Sequence, residues 1–236
     1  MADKNSRVLV ISDQHLPYNH PDLVAFLKAI KAEYKPDRVI NIGDEIDGHS
    51  YSFHEHSPDL LSPGAELQSS ITRLKVLYKL FPNVDVMESN HGSLIYRKGS
   101  AAGIPLTAFK SYRDMLEAPA TWKWHMDLTL KLSNGASCYF HHGKTGTPGK
   151  LSKNMGMNAV QGHHHSRFQI TYWANPVGIF WDMHVGFLAD SKSIAQAYAK
   201  NNVDRGIVGT GIILNGYPRL LPMVLNSSGR WTGKLV

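Results

Sequence analysis

The chain has 236 residues, 42% hydrophobic and 19% charged, enough apolar content for one large domain and too much for wholesale disorder. A single cysteine, Cys138, excludes an internal disulfide and a multi-thiolate metal site, so any metal must be held by nitrogen and oxygen. The net charge of +6, with histidine neutral, points to an anionic partner, and no apolar run is long enough to span a bilayer; a cytoplasmic protein without membrane contact is expected.

The first predicted strand, RVLVIS at 7–12, is nearly continuous in apolar character, as a strand buried on both faces should be. A helix follows over 22–33, where Leu23, Phe26, Leu27 and Ile30 fall on one face behind Pro21. RVINIG at 38–43 is the second strand, the stripe Leu67, Ile71, Leu74, Tyr78 and Phe81 marks a second helix ending before Pro82, and VDVMES is the third strand. This β-α-β-α-β opening predicts a parallel sheet.

From about residue 120 the pattern changes to short strands: LTLKL, SCYFHH, FQITYW, GIFWDMHV, GIVGTGIIL and PRLLPMVL, the first two joined by a hairpin at Asn134-Gly135. The expectation is one α/β domain over 1–236 whose second half supplies a mostly antiparallel sheet. A surface insert is expected near 92–124.

Polar residues collect where the strands end. The first strand runs into SDQH (Asp13, His15), the second into GDEID (Asp44, Asp47) and the third into SNHG (Asn90, His91). Two histidine groups follow, His141-His142 and His163-His164-His165. Ligand sites in open α/β sheets form beyond the carboxyl ends of strands, so these segments should converge. Each taken singly is an ordinary turn, cap or surface group. Together they are the carboxylates and imidazoles that two divalent ions require.

In order, DQH, GDEID, NH, HHG and GHHH resemble the motifs of the calcineurin-like metallophosphoesterase superfamily, in its nuclease and phosphodiesterase branches. The resemblance implies a four-layer α-β-β-α sandwich and hydrolysis of a phosphoester by a hydroxide held between two divalent ions, Mn first among Mn, Fe, Zn and Ni. By position, Asp13, His15 and His165 would bind one ion, Asp44 would bridge, and Asn90, His142 and His163 would complete the second site. His91 would be the general acid, Asp47 and His141 would support the ligands from behind, and His164 would face away. The family pattern has Asp or Glu after the motif histidine; here Gly92 follows His91, and Ser89 replaces a glycine.

The substrate expected is a nucleic acid or nucleotide phosphodiester. Residues 49–63 (His49, Tyr51, His54, His56) and 92–124 (Tyr96, Arg97, Lys98, Lys110, Tyr112, Arg113, Trp122) interleave aromatic and basic groups. Arg97, Lys98, Arg113 and Lys144 are the candidate substrate contacts. Between Asp127 and Asp182 no residue is acidic, while Lys131, Lys144, Lys150, Lys153 and Arg167 fall there. Alternatives are a phosphomonoesterase on small molecules and an interaction module whose catalysis has decayed.

Overall fold

The computed structural model describes residues 5–53, 59–193 and 204–236. The three opening strands, β1 (Arg7–Ile11), β2 (Arg38–Asn41) and β3 (Val84–Met87), pair in parallel through crossover helices α1 (Leu23–Tyr34) and α2 (Pro63–Leu80). A fourth parallel strand, β4 (Trp122–His125), flanks β3. On the other side of β1 lie β10 (Gly209–Leu214) and β11 (Tyr217–Pro222), both antiparallel to their neighbours, giving the order β11-β10-β1-β2-β3-β4. The second sheet, β5 (Leu128–Lys131), β6 (Ser137–His141), β7 (Asn158–Gln161), β9 (Gly178–Val185) and β8 (Phe168–Asn175), has the order β5-β6-β7-β9-β8.

Alternation along β1 explains the layering. Leu9 and Ile11 face α1 and α2, packing with Phe26, Leu27, Ile30 and Leu74. Val8 and Val10 face the second sheet and pack with Phe140, Val160, Met183 and Val185. Burying such side chains contributes roughly 1.5–3 kcal/mol each, so both faces of β1 must stay apolar. A short helix, α5 (Lys150–Met155), covers Tyr139 and Ala159 on the far side of the second sheet, which completes a four-layer α-β-β-α arrangement.

Two expectations change. The second sheet is mixed rather than mostly antiparallel, because β6, β7 and β9 run parallel and only the β5–β6 and β8–β9 pairs are antiparallel. The segment read as a surface insert near 92–124 carries helices α3 (Leu94–Ala101) and α4 (Tyr112–Met115), and it ends inside the first sheet, since Trp122 is a buried residue of β4.

The C-terminal segment returns to the start of α1. Asp22 Oδ2 accepts from Arg230 Nε at 2.8 Å and from the Trp231 main-chain N–H at 2.9 Å, and the Trp231 ring packs edge-on to Phe26. The carboxylate is thus committed to the tail and makes no capping bond to its own helix. Arg230 is the main reason that the Asp22 carboxyl is held down at about 2. A carboxyl whose pKa is lowered on folding adds stability above its unfolded value and loses it as the pH falls through the folded one. Asp22→Asn should therefore lower Tm at pH 7 by about 2–4 °C, the shift usual for losing a well-formed carboxylate–guanidinium pair in a chain of this length. The gap should narrow as the pH drops from about 4 to 2; a pH-independent gap in thermal unfolding would contradict the assignment.

Candidate metal centre

Because β1, β2 and β3 are parallel, the segments that follow them leave the sheet along one edge. Backbone bonds fasten the first two together: Asp13 N–H donates to Gly43 O at 3.1 Å, His15 N–H to Asp44 O at 2.9 Å and Leu16 N–H to Glu45 O at 3.0 Å. Asp13, His15, Asp44 and His163 have φ of 49°, 49°, 50° and 64°, the left-handed region that residues other than glycine seldom enter. That conformation costs about 1–2 kcal/mol per residue, so these turns persist only because neighbouring bonds hold them.

The loop after β7 presses on the loop after β1. A Cβ on Gly162 would lie 2.0 Å from Ser12 Oγ and 2.4 Å from Asp13 Oδ2, so this approach requires glycine. His163 N–H then donates to Asp13 Oδ2 at 3.0 Å, and the Ser12 hydroxyl donates to the same oxygen. Asp13 Oδ1 remains buried with no hydrogen-bond partner. It faces His165 Nε2 at 3.3 Å and His15 Nε2 at 3.8 Å, and those two nitrogens are 3.1 Å apart.

A second cluster adjoins the first through Asp44. Its Oδ2 is 3.2 Å from His142 Nε2 and 3.8 Å from His15 Nε2. Around His142 Nε2 lie Asn90 Oδ1 at 2.7 Å and His163 Nδ1 at 3.2 Å. Donor atoms of Asp13, His15 and His165, of Asp44, His142 and His163, and of His15, Asp44 and His91 each converge within 4.8 Å, spacing that fits a metal ion. Asp13, His15, Asp44 and His142 are buried, whereas Asn90 and His163 are exposed, so the cluster opens to solvent on the second side.

The outward nitrogens are also assigned. His15 Nδ1–H donates to Asp47 Oδ1 at 2.6 Å and His142 Nδ1–H to Ile42 O at 3.0 Å. Each leaves Nε2 with a lone pair aimed into the cluster, the tautomer a metal ligand needs. Electrostatics show the carboxylates and imidazoles answering one another. Burial alone would raise the Asp13 carboxyl, but His15 and His165 outweigh it and hold it well below the usual range. Asp44 is likewise kept low against its burial by His142 and His91. Burial would lower His142, and Asp44 instead lifts it to about 9.

His91 sits over this edge. Its backbone N–H donates to Asp44 Oδ1 at 3.1 Å, its Nδ1–H donates to the Asp47 carbonyl, and Asp47 Oδ1 is 3.7 Å from Nδ1. Nε2 is left 4.0 Å from Asp44 Oδ2. The orienting acceptor missing after His91 is thus supplied by the Asp47 carbonyl, forty-four positions earlier in the chain, with the Asp47 carboxylate 3.7 Å away. Gly92 is crowded, since a Cβ there would lie 3.0 Å from Tyr112 Oη and 3.1 Å from Ser89 Oγ, and one of them would have to move.

Other expected contacts fall elsewhere. His141 lies across the strand, its ring parallel to Tyr139 and its Nδ1 accepting from Gly143 N–H at 3.0 Å; burial and then Lys144 lower it to about 4. His164 packs between His163 and His184. Arg97 donates to Asn90 O at 2.7 Å, Lys98 lies over the Phe53 ring, Lys144 lies over Tyr139, and Arg113 faces its neighbour Asp114 at 3.6 Å on the surface.

The aromatics of the insert are not free to stack on a base. Trp122 is buried and donates to Phe81 O at 2.9 Å, Tyr112 packs against Trp124, and Tyr96 packs on Phe109. Trp122, Tyr112 and Trp124 belong to the helix-side core of the first sheet. His49 lies in a turn whose main-chain N–H, with that of Ser50, donates to Glu66 at 2.9 and 3.0 Å; His54 and His56 lie outside the described residues.

The sequence carried no sign of Ser12, of Phe187 stacked on His165, or of Glu45, a buried carboxyl that accepts from Trp124 Nε1 at 3.1 Å and is raised by its burial. Glu45 reads as the variable position of GDEID, yet it ties β4 to the Asp44 turn.

Restoring the family's carboxylate should not help this site. Gly92→Asp is expected to cost about 1–3 kcal/mol of stability through overpacking against Tyr112. Wild-type thermal stability of that variant would contradict the crowding at Gly92.

Residues 6–87, about a third of the chain, match the family model for calcineurin-like phosphoesterases. Vacuolar Protein Sorting 29 from Cryptosporidium parvum has a similar structure, with 13% identity over 98% of this chain and 94% of that one and a TM-score of 0.52. Vps29 of Chaetomium thermophilum is 9% identical over 99% of this chain and 94% of that one, with a TM-score of 0.51. YfcE, a phosphoesterase from E. coli, is 11% identical over 98% of both chains, with a TM-score of 0.45. No curated protein matches the sequence. At such identities the structural likeness is one of fold, and the matched segment, which contains Asp13, His15, Asp44 and Asp47, resembles the calcineurin-like phosphoesterases.

Proposed function

We propose that the chain is a phosphodiesterase that uses two divalent metal ions and acts on nucleic acid or nucleotide diesters. One observation carries this reading: a single buried oxygen, Asp44 Oδ2, faces two separate donor sets, with His142 Nε2 at 3.2 Å and His15 Nε2 at 3.8 Å. Asp13, His15 and His165 would hold one ion with Asp44, and Asn90, His142 and His163 would hold the other with it. The unpartnered Asp13 Oδ1 and the fixed tautomers of His15 and His142 suit cations, and a thiolate-free donor set accepts Mn as well as Fe, Zn or Ni. Bound there, the ions would offset the charge of the phosphoester and acidify water for attack at phosphorus.

The side chains do the rest. Asp47 fixes both His15 and His91, so ligand and acid keep one relative orientation. His91 presents Nε2 on the open side, where a protonated ring can donate to the leaving oxygen. Arg97, held at Asn90, together with Lys98 places positive charge beside the second donor set, which favours a substrate with flanking phosphates.

The likeness to Vacuolar Protein Sorting 29 favours a second reading, a metal-holding interaction module without turnover. Hydrolysis separates the readings. With Mn²⁺, bis-p-nitrophenyl phosphate should turn over faster than p-nitrophenyl phosphate. His91→Ala should lower kcat about 10²–10⁴-fold while Mn²⁺ binding by calorimetry persists. Asp47→Asn should cost about 10–100-fold in Mn²⁺ affinity or in turnover. Preference for the monoester would make the chain a phosphomonoesterase, and Mn²⁺ binding without hydrolysis of either ester would favour the module.

A further inference from the structure

The insert's aromatics are spent on packing, but one aromatic near the centre is not. Phe53 is 54% exposed at the end of the turn that leads away from Asp47. Two cations of α3 lie against its ring, Lys98 Nζ at 4.4 Å and Arg97 Cζ at 5.6 Å from the centroid. Arg97 also donates to Asn90 O at 2.7 Å, and Asn90 Oδ1 meets His142 Nε2 at 2.7 Å. A short series of contacts therefore runs from the exposed ring to the solvent-facing side of the candidate centre. The turn before the ring is rooted, since His49 and Ser50 N–H both donate to Glu66.

We propose that Phe53 is a stacking platform for the nucleobase next to the scissile phosphate, with Lys98 and Arg97 pairing with the neighbouring phosphate. The proposal rests on the diesterase reading above and names its substrate class as single-stranded nucleic acid. Every base offers a π-face, so stacking tolerates sequence, while a cation beside the ring suits the phosphate that follows each base. In a duplex both faces of a base are already covered by its neighbours. A lone platform therefore selects single strands, frayed ends or free nucleotides.

Binding tests this without turnover. Fluorescence anisotropy with a labelled oligodeoxythymidylate and metal-free protein should show Phe53→Ala weakening binding about 5- to 100-fold, the effect of losing one base–aromatic stack. Phe53→Leu should lose nearly as much, because it keeps apolar bulk without a π-face, and Phe53→Trp should bind at least as tightly as wild type. The ring is exposed, so all three variants should keep the wild-type Tm. Equal affinity of wild type and Phe53→Ala, full retention by Phe53→Leu, no binding by wild type, or preference for the oligothymidylate·oligoadenylate duplex would each overturn the platform. Hydrolysis of methyl p-nitrophenyl phosphate, which has no base, reports on the diesterase reading separately. Turnover there with Phe53-independent oligonucleotide binding removes the platform alone, whereas Phe53-dependent binding without turnover of any diester keeps the platform and removes the hydrolase.

Discussion

Three carboxylates, Asp13, Asp44 and Asp47, are gathered into one nearly solvent-free place, and the rest of the structure follows from having to hold them there. Burying an ionised carboxylate costs several kcal/mol unless charges and hydrogen bonds answer it. The answer comes from imidazoles delivered by both sheets, with His15 and His91 from the first and His142, His163 and His165 from the second. A sandwich whose two sheets share a core can bring both sets of strand ends to one edge. A single sheet could not surround Asp44 in this way.

Backbone conformation is the second requirement. Side chains that leave consecutive strands diverge unless the chain turns sharply, and at Asp13, His15, Asp44 and His163 it does so through the left-handed region. The rungs between the loops after β1 and β2 make those turns affordable as a set, since breaking one would loosen the others. Asp47 then joins separate duties in one residue: its carboxylate orients His15 and its carbonyl orients His91.

Much of this was legible in the sequence. The continuous apolar character of 7–12 and 38–43 identified strands buried on two faces, and their polar endings located the site. What stayed hidden is non-local. NAVQ at 158–161 has polar ends and looks like a loop, yet all four residues are buried, because Asn158 accepts from Trp181 N–H at 3.1 Å and Gln161 pairs with His184. WKWH at 122–125 reads as part of an exposed insert until Phe81 O and Glu45 are found to take its two indole N–H groups. Phe53 carries no local signal at all; its exposure and its cations are properties of the fold.

The placement of β10 has a consequence for how the chain comes together. Val8 pairs with Ile213 and Val10 with Gly211, so the central strand of the first sheet has one neighbour from the start of the chain and one from near its end. Such a contact closes a loop of nearly the whole sequence, and loop closure of that length comes late. During synthesis the opening β-α-β segment would emerge with one edge of β1 unpaired, a bare strand edge open to wrong partners. The order of synthesis thus leaves the strand that begins the candidate site waiting for strands made far later.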